Sequence, residues 1–195
     1  MRRIFDNILS IEPQKILVLM CACFVCVVAL TFDDYGVNPD EGLHIANGKH
    51  VFDWYASGFT DRDIFTWSNV WAYGGAFDVV CHLVTLISPL SVYETRHLLT
   101  ALIGLLGILG AFALGRMVGS EWTGLLAAGL LLLTPRYYGH AFFNQKDIPF
   151  AVGHVWSVAL ILRCWFSFPK IPPRLITLSG LVIGLTLGLR VGGIS

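Results

Sequence analysis

The sequence predicts an all-α, multi-spanning transmembrane bundle of about five helices, with interfacial helices in its first external loop. Three observations predict it. Of the 195 residues, 55% are hydrophobic and only 13% are charged, whereas soluble domains carry about 25% charge. The mean hydropathy of +0.69 places the chain in the membrane class. Long apolar runs recur between polar stretches, and Trp and Tyr concentrate in those stretches, where interfacial aromatic belts are expected. The formal net charge is zero, so nothing suggests a nucleic-acid partner, which calls for a basic face.

The first span is read at Lys15 to Phe32, whose 17 residues from Ile16 to Phe32 are uncharged. Spans need about 17–25 apolar residues, and the flanking Lys15 and Asp33 can reach the two interfaces. The run ends Ala29-Leu30-Thr31-Phe32-Asp33, a poor match to a signal-peptide cleavage site, so the segment reads as a retained first helix preceded by Arg2 and Arg3.

The polar stretch 33–96 follows as a first external loop. Asn38 is a good N-cap, Pro39 suits the first helical position and Glu41 stands three residues after the cap, which together predict a helix from Pro39 to Tyr55. Ser57-Gly58 ends it, 61–75 reads as irregular, and Phe77 to Ile87 reads as a second helix, too short to span and therefore interfacial. The second span is expected at Leu98 to Gly115, where Gly104, Gly107 and Gly110 would let helices approach closely. A short third span runs from Trp122 to Pro135 and a second polar loop occupies 136–147. The fourth span, Ile148 to Phe168, contains His154 and Arg163. After the rigid Pro169–Arg174 turn, Leu175 to Leu189 forms the fifth.

Orientation follows from Lys and Arg. With the N-terminus in the cytoplasm, seven lie inside and six outside. Two of the outer six, Lys49 and Arg62, sit deep in the long loop, where charge counts for less. Both polar loops therefore face outward, and the expected location is a bacterial inner (plasma) membrane. The five cysteines fit no zinc or disulfide spacing. Cys21, Cys23 and Cys26 read as small apolar packing residues.

Chemistry concentrates at the two loops. Asp40 and Glu41 fit two roles at once. They complement a helix N-terminus, and one carboxylate suits a general base towards a hydroxyl. Asp147 opens the fourth span, in the company of Arg136, Tyr137, Tyr138, His140, Asn144, Gln145 and Lys146. Cations and amides together suit a phosphate or a sugar. Arg190, Arg96 and His97 are either membrane anchors or anion ligands, and His154 is a functional candidate by its depth.

Three places then carry a resemblance: Asp40-Glu41 before an amphipathic helix, Asp147-Ile148-Pro149-Phe150 at the second loop, and Gly184-Leu185-Thr186-Leu187-Gly188-Leu189-Arg190 ending the fifth span. In their order and spacing the chain resembles the N-terminal part of GT-C superfamily membrane glycosyltransferases. The nearest likeness is to the dolichyl-phosphate-mannose–protein mannosyltransferases and their bacterial relatives, including the aminoarabinose transferase that modifies lipid A. One departure is His44, three residues after Glu41, where the eukaryotic mannosyltransferases carry a His two after the Glu. The resemblance implies a polyprenyl-phosphate-linked sugar as donor and a hydroxyl of a protein, lipid or glycan as acceptor, with transfer by inversion on the non-cytoplasmic face. It implies a catalytic set of Asp40 as base, Glu41 supporting it and Asp147 arranging acceptor or donor, with Arg190, Lys146 and His140 facing the lipid phosphate. Family members continue through further spans, so the 195 residues are expected to be a truncated, N-terminal part. No metal is assigned, although Asp40, Glu41 and Asp147 offer the hard oxygens that Mg²⁺ or Mn²⁺ takes. The competing readings are a transporter or lipid-linked-sugar flippase, for which only His154 and Arg163 lie near mid-membrane, and a catalytically inactive fragment or subunit.

Overall fold

A computed structural model describes residues 12–190; Arg2, Arg3 and the stretch beyond Arg190 lie outside it. Among the described residues the chain is all-α, with nine α-helices. Three are long and apolar enough to cross a membrane: α1 (Pro13–Thr31), α5 (Val92–Val118) and α8 (Asp147–Phe166). The others are α2 (Glu41–Ala56), α3 (Asp63–Trp67), α4 (Ala76–Thr85), α6 (Glu121–Leu132), α7 (Pro135–Phe143) and α9 (Pro173–Leu189), with a 3₁₀ turn at Asn69–Tyr73. The 12 residues of α6 extend about 18 Å, short of the ~30 Å hydrocarbon core.

Local chemistry explains where the elements depart from expectation. Helix α5 begins at Val92 rather than Leu98, because Ser91 and Glu94 form a reciprocal capping box. The first polar stretch therefore ends at Ser91, and Arg96 and His97 lie inside the helix instead of in a loop. The stretch 61–75 is not irregular throughout. The Asp61 carboxylate accepts the Asp63 N–H at 2.9 Å and opens α3, and the Ser68 hydroxyl accepts from Val70 N–H and caps the 3₁₀ turn. Between Asn38 and Glu41 the expected cap chemistry forms: the Asn38 carboxamide accepts from Asp40 N–H at 3.1 Å, and Glu41 reaches back to Asn38 N–H at 3.1 Å. The helix proper starts two residues later than expected, at Glu41, after a tight turn.

The apolar core joins α1, α5, α6 and α7 through Leu17, Phe24, Val28, Ala101, Ile108, Phe112, Ala128, Ala141 and Phe142. Glycine sets the close approaches. A Cβ on Gly107 would fall 2.0 Å from the Tyr137 hydroxyl, which donates to the Gly104 carbonyl at 2.6 Å and so ties α7 to α5. Gly74 has φ +88°, and a Cβ there would meet the Gly188 carbonyl oxygen at 2.4 Å. That contact seats the end of α9 against the first polar stretch. As a result the connection after α1, the turn between α7 and α8, and the end of α9 meet at one end of the bundle. His154 and Arg163 sit on the exposed side of α8.

Candidate functional site

At that end lies a polar cleft of about 240 Å³, lined by Asn38, Asp40, Glu41, His44, Phe143, Asn144, Gln145, Lys146, Asp147 and Arg190. Five of the six residues singled out from the sequence thus share one hollow. One wall is the start of α2 and the other is the Asn144–Asp147 turn that opens α8.

Asp40 is exposed, and its carboxylate has no hydrogen-bond partner among the described residues. Asp147 is exposed as well. Its Oδ2 accepts from the Asn144 amide at 3.1 Å, and its Oδ1 accepts from Arg190 Nη1 at 3.3 Å. With side chains 42% and 57% exposed, this ion pair is solvated and weakly bound. Lys146 has its ammonium 3.5 Å from the centroid of the Tyr73 ring, a cation–π contact, and among the described residues no carboxylate pairs with it. The cleft therefore presents two exposed acids, Asp40 and Asp147, and two loosely engaged cations around a polar hollow.

His140 does not line the cleft. Its Nδ1 accepts from the Asn144 amide at 2.7 Å, so it stands behind the turn and orients the residue that holds Asp147. Glu41 lines the cleft but is only 2% exposed. Its Oε1 accepts from His97 Nε2 at 2.8 Å and from the Gln145 amide at 3.0 Å, and its Oε2 accepts from Asn38 N–H. With both oxygens engaged, Glu41 is a girder beside Asp40 and not a free acid.

Behind the cleft runs a buried polar network whose extent the sequence did not reveal. Arg96, 1% exposed, donates from Nη2 to Asp78 Oδ1 at 2.8 Å and from Nε to Gln145 Oε1. Asp78, 4% exposed, also accepts from His44 Nδ1 at 3.0 Å and from the Asn47 amide at 2.9 Å. His97 Nδ1 lies 3.3 Å from the Phe32 carbonyl. A carbonyl only accepts, so Nδ1 carries a hydrogen. Burial of charge on this scale needs full pairing. Of the network's side-chain atoms only Asn47 Oδ1 is buried without a partner. Arg96 and His97 are thus neither lipid anchors nor ligands of the cleft. The signals for the network were the Ser91-Val92-Tyr93-Glu94 capping box, which draws both residues into α5, and the lone acid Asp78 on an apolar helix.

Among the described residues no three His, Cys, Asp or Glu side chains gather as a metal site would require. Compared with family models, with curated proteins and with solved structures, the chain shows no match.

Proposed function

We propose that this chain is the N-terminal, membrane-embedded part of a glycosyltransferase that moves a sugar from a polyprenyl-phosphate carrier to an acceptor hydroxyl on the non-cytoplasmic face. In this reading α6 and α9 join the three long helices as spans, and the N-terminus is cytoplasmic. The observation that carries it is the shared cleft: Asp40 and Asp147, far apart in sequence, line one hollow with Lys146 and Arg190.

Asp40 fits the general base because its carboxylate is exposed and unengaged. It takes the proton of the acceptor hydroxyl as that oxygen bonds to the anomeric carbon. The bond from the anomeric carbon to the phosphate oxygen breaks on the opposite side, which inverts the centre, and the electron pair leaves with the lipid phosphate. Arg190 and Lys146 offset that charge. Their present partners, a solvated carboxylate and an aromatic face, are ones that a phosphate can displace. Asp147 then turns from Arg190 to the sugar or acceptor. His154 and Arg163, the ionisable groups on which the transporter reading drew, sit on the exposed side of α8, which favours the sugar-transfer reading over it.

The test is transfer from a radiolabelled polyprenyl-phosphate sugar in membranes carrying the protein. A general base contributes about 10²–10⁴-fold, so Asp40→Asn lowers transfer by that order while the protein stays folded and inserted. Unchanged transfer would remove Asp40 from the chemistry.

A further inference from the structure

The two walls of the cleft lie far apart in the sequence, with Glu41 and Gln145 104 residues apart, yet the proposed chemistry needs Asp40 and Lys146–Asp147 held in register. Only one side chain of the Asn144–Asp147 turn hydrogen-bonds across to α2 and α5 among the described residues, and it is Gln145. Its Oε1 accepts from Arg96 Nε on α5, and its amide donates to Glu41 Oε1 on α2 at 3.0 Å. It is 3% exposed. Its two partners are themselves fixed, Arg96 by Asp78 and Glu41 by His97 and the Asn38 N–H. Each clamped residue is also a direct chain neighbour of a cleft residue: Glu41 follows Asp40, and Gln145 precedes Lys146 and Asp147.

We propose that Gln145 is a positioning residue, a crosspiece whose hydrogen bonds to Glu41 and Arg96 set the separation between Asp40 and the Lys146–Asp147 turn. An amide is the side chain that the place demands. One end must accept from a guanidinium and the other must donate to a carboxylate. Leucine leaves both partners buried and unmatched. Glutamate alone faces Glu41 with a like charge at hydrogen-bond distance. The exchange Glu41→Gln with Gln145→Glu restores every bond, two of them with reversed direction: the new carboxylate accepts from Arg96, and the new amide donates to it and to His97 Nε2 while still accepting from Asn38 N–H.

The kinetic arm of the test rests on the sugar-transfer reading, and the geometric arm does not. For geometry, spin labels are placed on Asp40→Cys and Asp147→Cys with Cys21, Cys23, Cys26 and Cys164 replaced, and the distance distribution is measured by pulsed EPR. It is expected to be narrow with Gln145, broad in Gln145→Leu and Gln145→Glu, and narrow again in the double exchange. For kinetics, with Asp40 and Asp147 intact, Gln145→Leu lowers kcat on the order of 100-fold, the scale of an ångström misplacement, and the exchange recovers most of it. A distribution unaltered in Gln145→Leu overturns the proposal. So does an exchange variant as broad as the single ones, which would reduce Gln145 to general packing; where Gln145→Leu fails to fold, the Gln145→Glu and exchange pair decides by itself. Distances that respond as described, in membranes that transfer no sugar, uphold the crosspiece and remove the sugar-transfer reading.

Discussion

Adjacent residues at the mouth of α2 have opposite fates. Asp40 is exposed and unengaged, whereas Glu41 is enclosed by His97, Gln145 and the Asn38 N–H. The sequence made both visible as a pair of acids but could not divide the labour, because two of the side chains that enclose Glu41 come from α5 and from the turn before α8. Asp78 gives little signal in the sequence for a related reason: one acid in the first turn of an apolar helix is well explained by the helix dipole. Its burial against Arg96 changes the energetic expectation. Asp78→Ala strands a buried guanidinium and should destabilise by about 3–5 kcal/mol, whereas Asp40→Ala, at an exposed site, should stay within about 0.5 kcal/mol. Thermal unfolding of the two variants in detergent checks the contrast. Cys81 offers a second check. It is fully buried, and burial pushes its thiol up to about 12, so the reactive thiolate is scarce at pH 8. Maleimide at that pH should leave Cys81 unlabelled in the folded protein and label it once the protein is denatured in dodecyl sulfate; mass spectrometry reads the site.

At the scale of elements, the apolar helices were legible because their signal is composition over many residues. Their ends were set by short-range bonds. Ser91 and Glu94 add a turn and a half to α5, and that extension decides whether Arg96 and His97 are loop residues or core residues. The seating of the end of α9 rests on a distant contact, the Gly74 backbone against the Gly188 carbonyl. Sequence shows Gly74-Gly75 as a break and cannot show what it abuts. Gly74→Ala is expected to combine the strain of a positive φ with a clash at the α9 carbonyl, at a cost of about 1–3 kcal/mol. It should also draw Arg190 out of the cleft. The measurable consequence is a raised KM for the lipid-phosphate donor, with kcat less affected. An unchanged KM would detach Arg190 from donor binding.

For the whole molecule, the sequence placed both polar loops on one side, and the shared cleft agrees with that placement. Which side of the membrane this is follows from the Lys and Arg balance alone. Cysteine at Gly42, an exposed position with open space around it, should react with a membrane-impermeant maleimide added to intact cells, and cysteine at Lys170 in the α8–α9 turn only after permeabilisation. The reverse pattern would invert the topology and move the cleft to the cytoplasm. The shortness of α6 has a further consequence, one of depth. Its Leu126 and Leu130 are exposed, and in the proposed reading, with α6 as a span, they meet acyl chains directly with roughly 12 Å too little reach. Lipid pinches inward around so stubby a rod. In the proposed reading, the resulting dimple would sink the polar helix α7 and the nearby headgroups towards the bilayer midplane, and would let a donor still anchored by its tail present its head from the side.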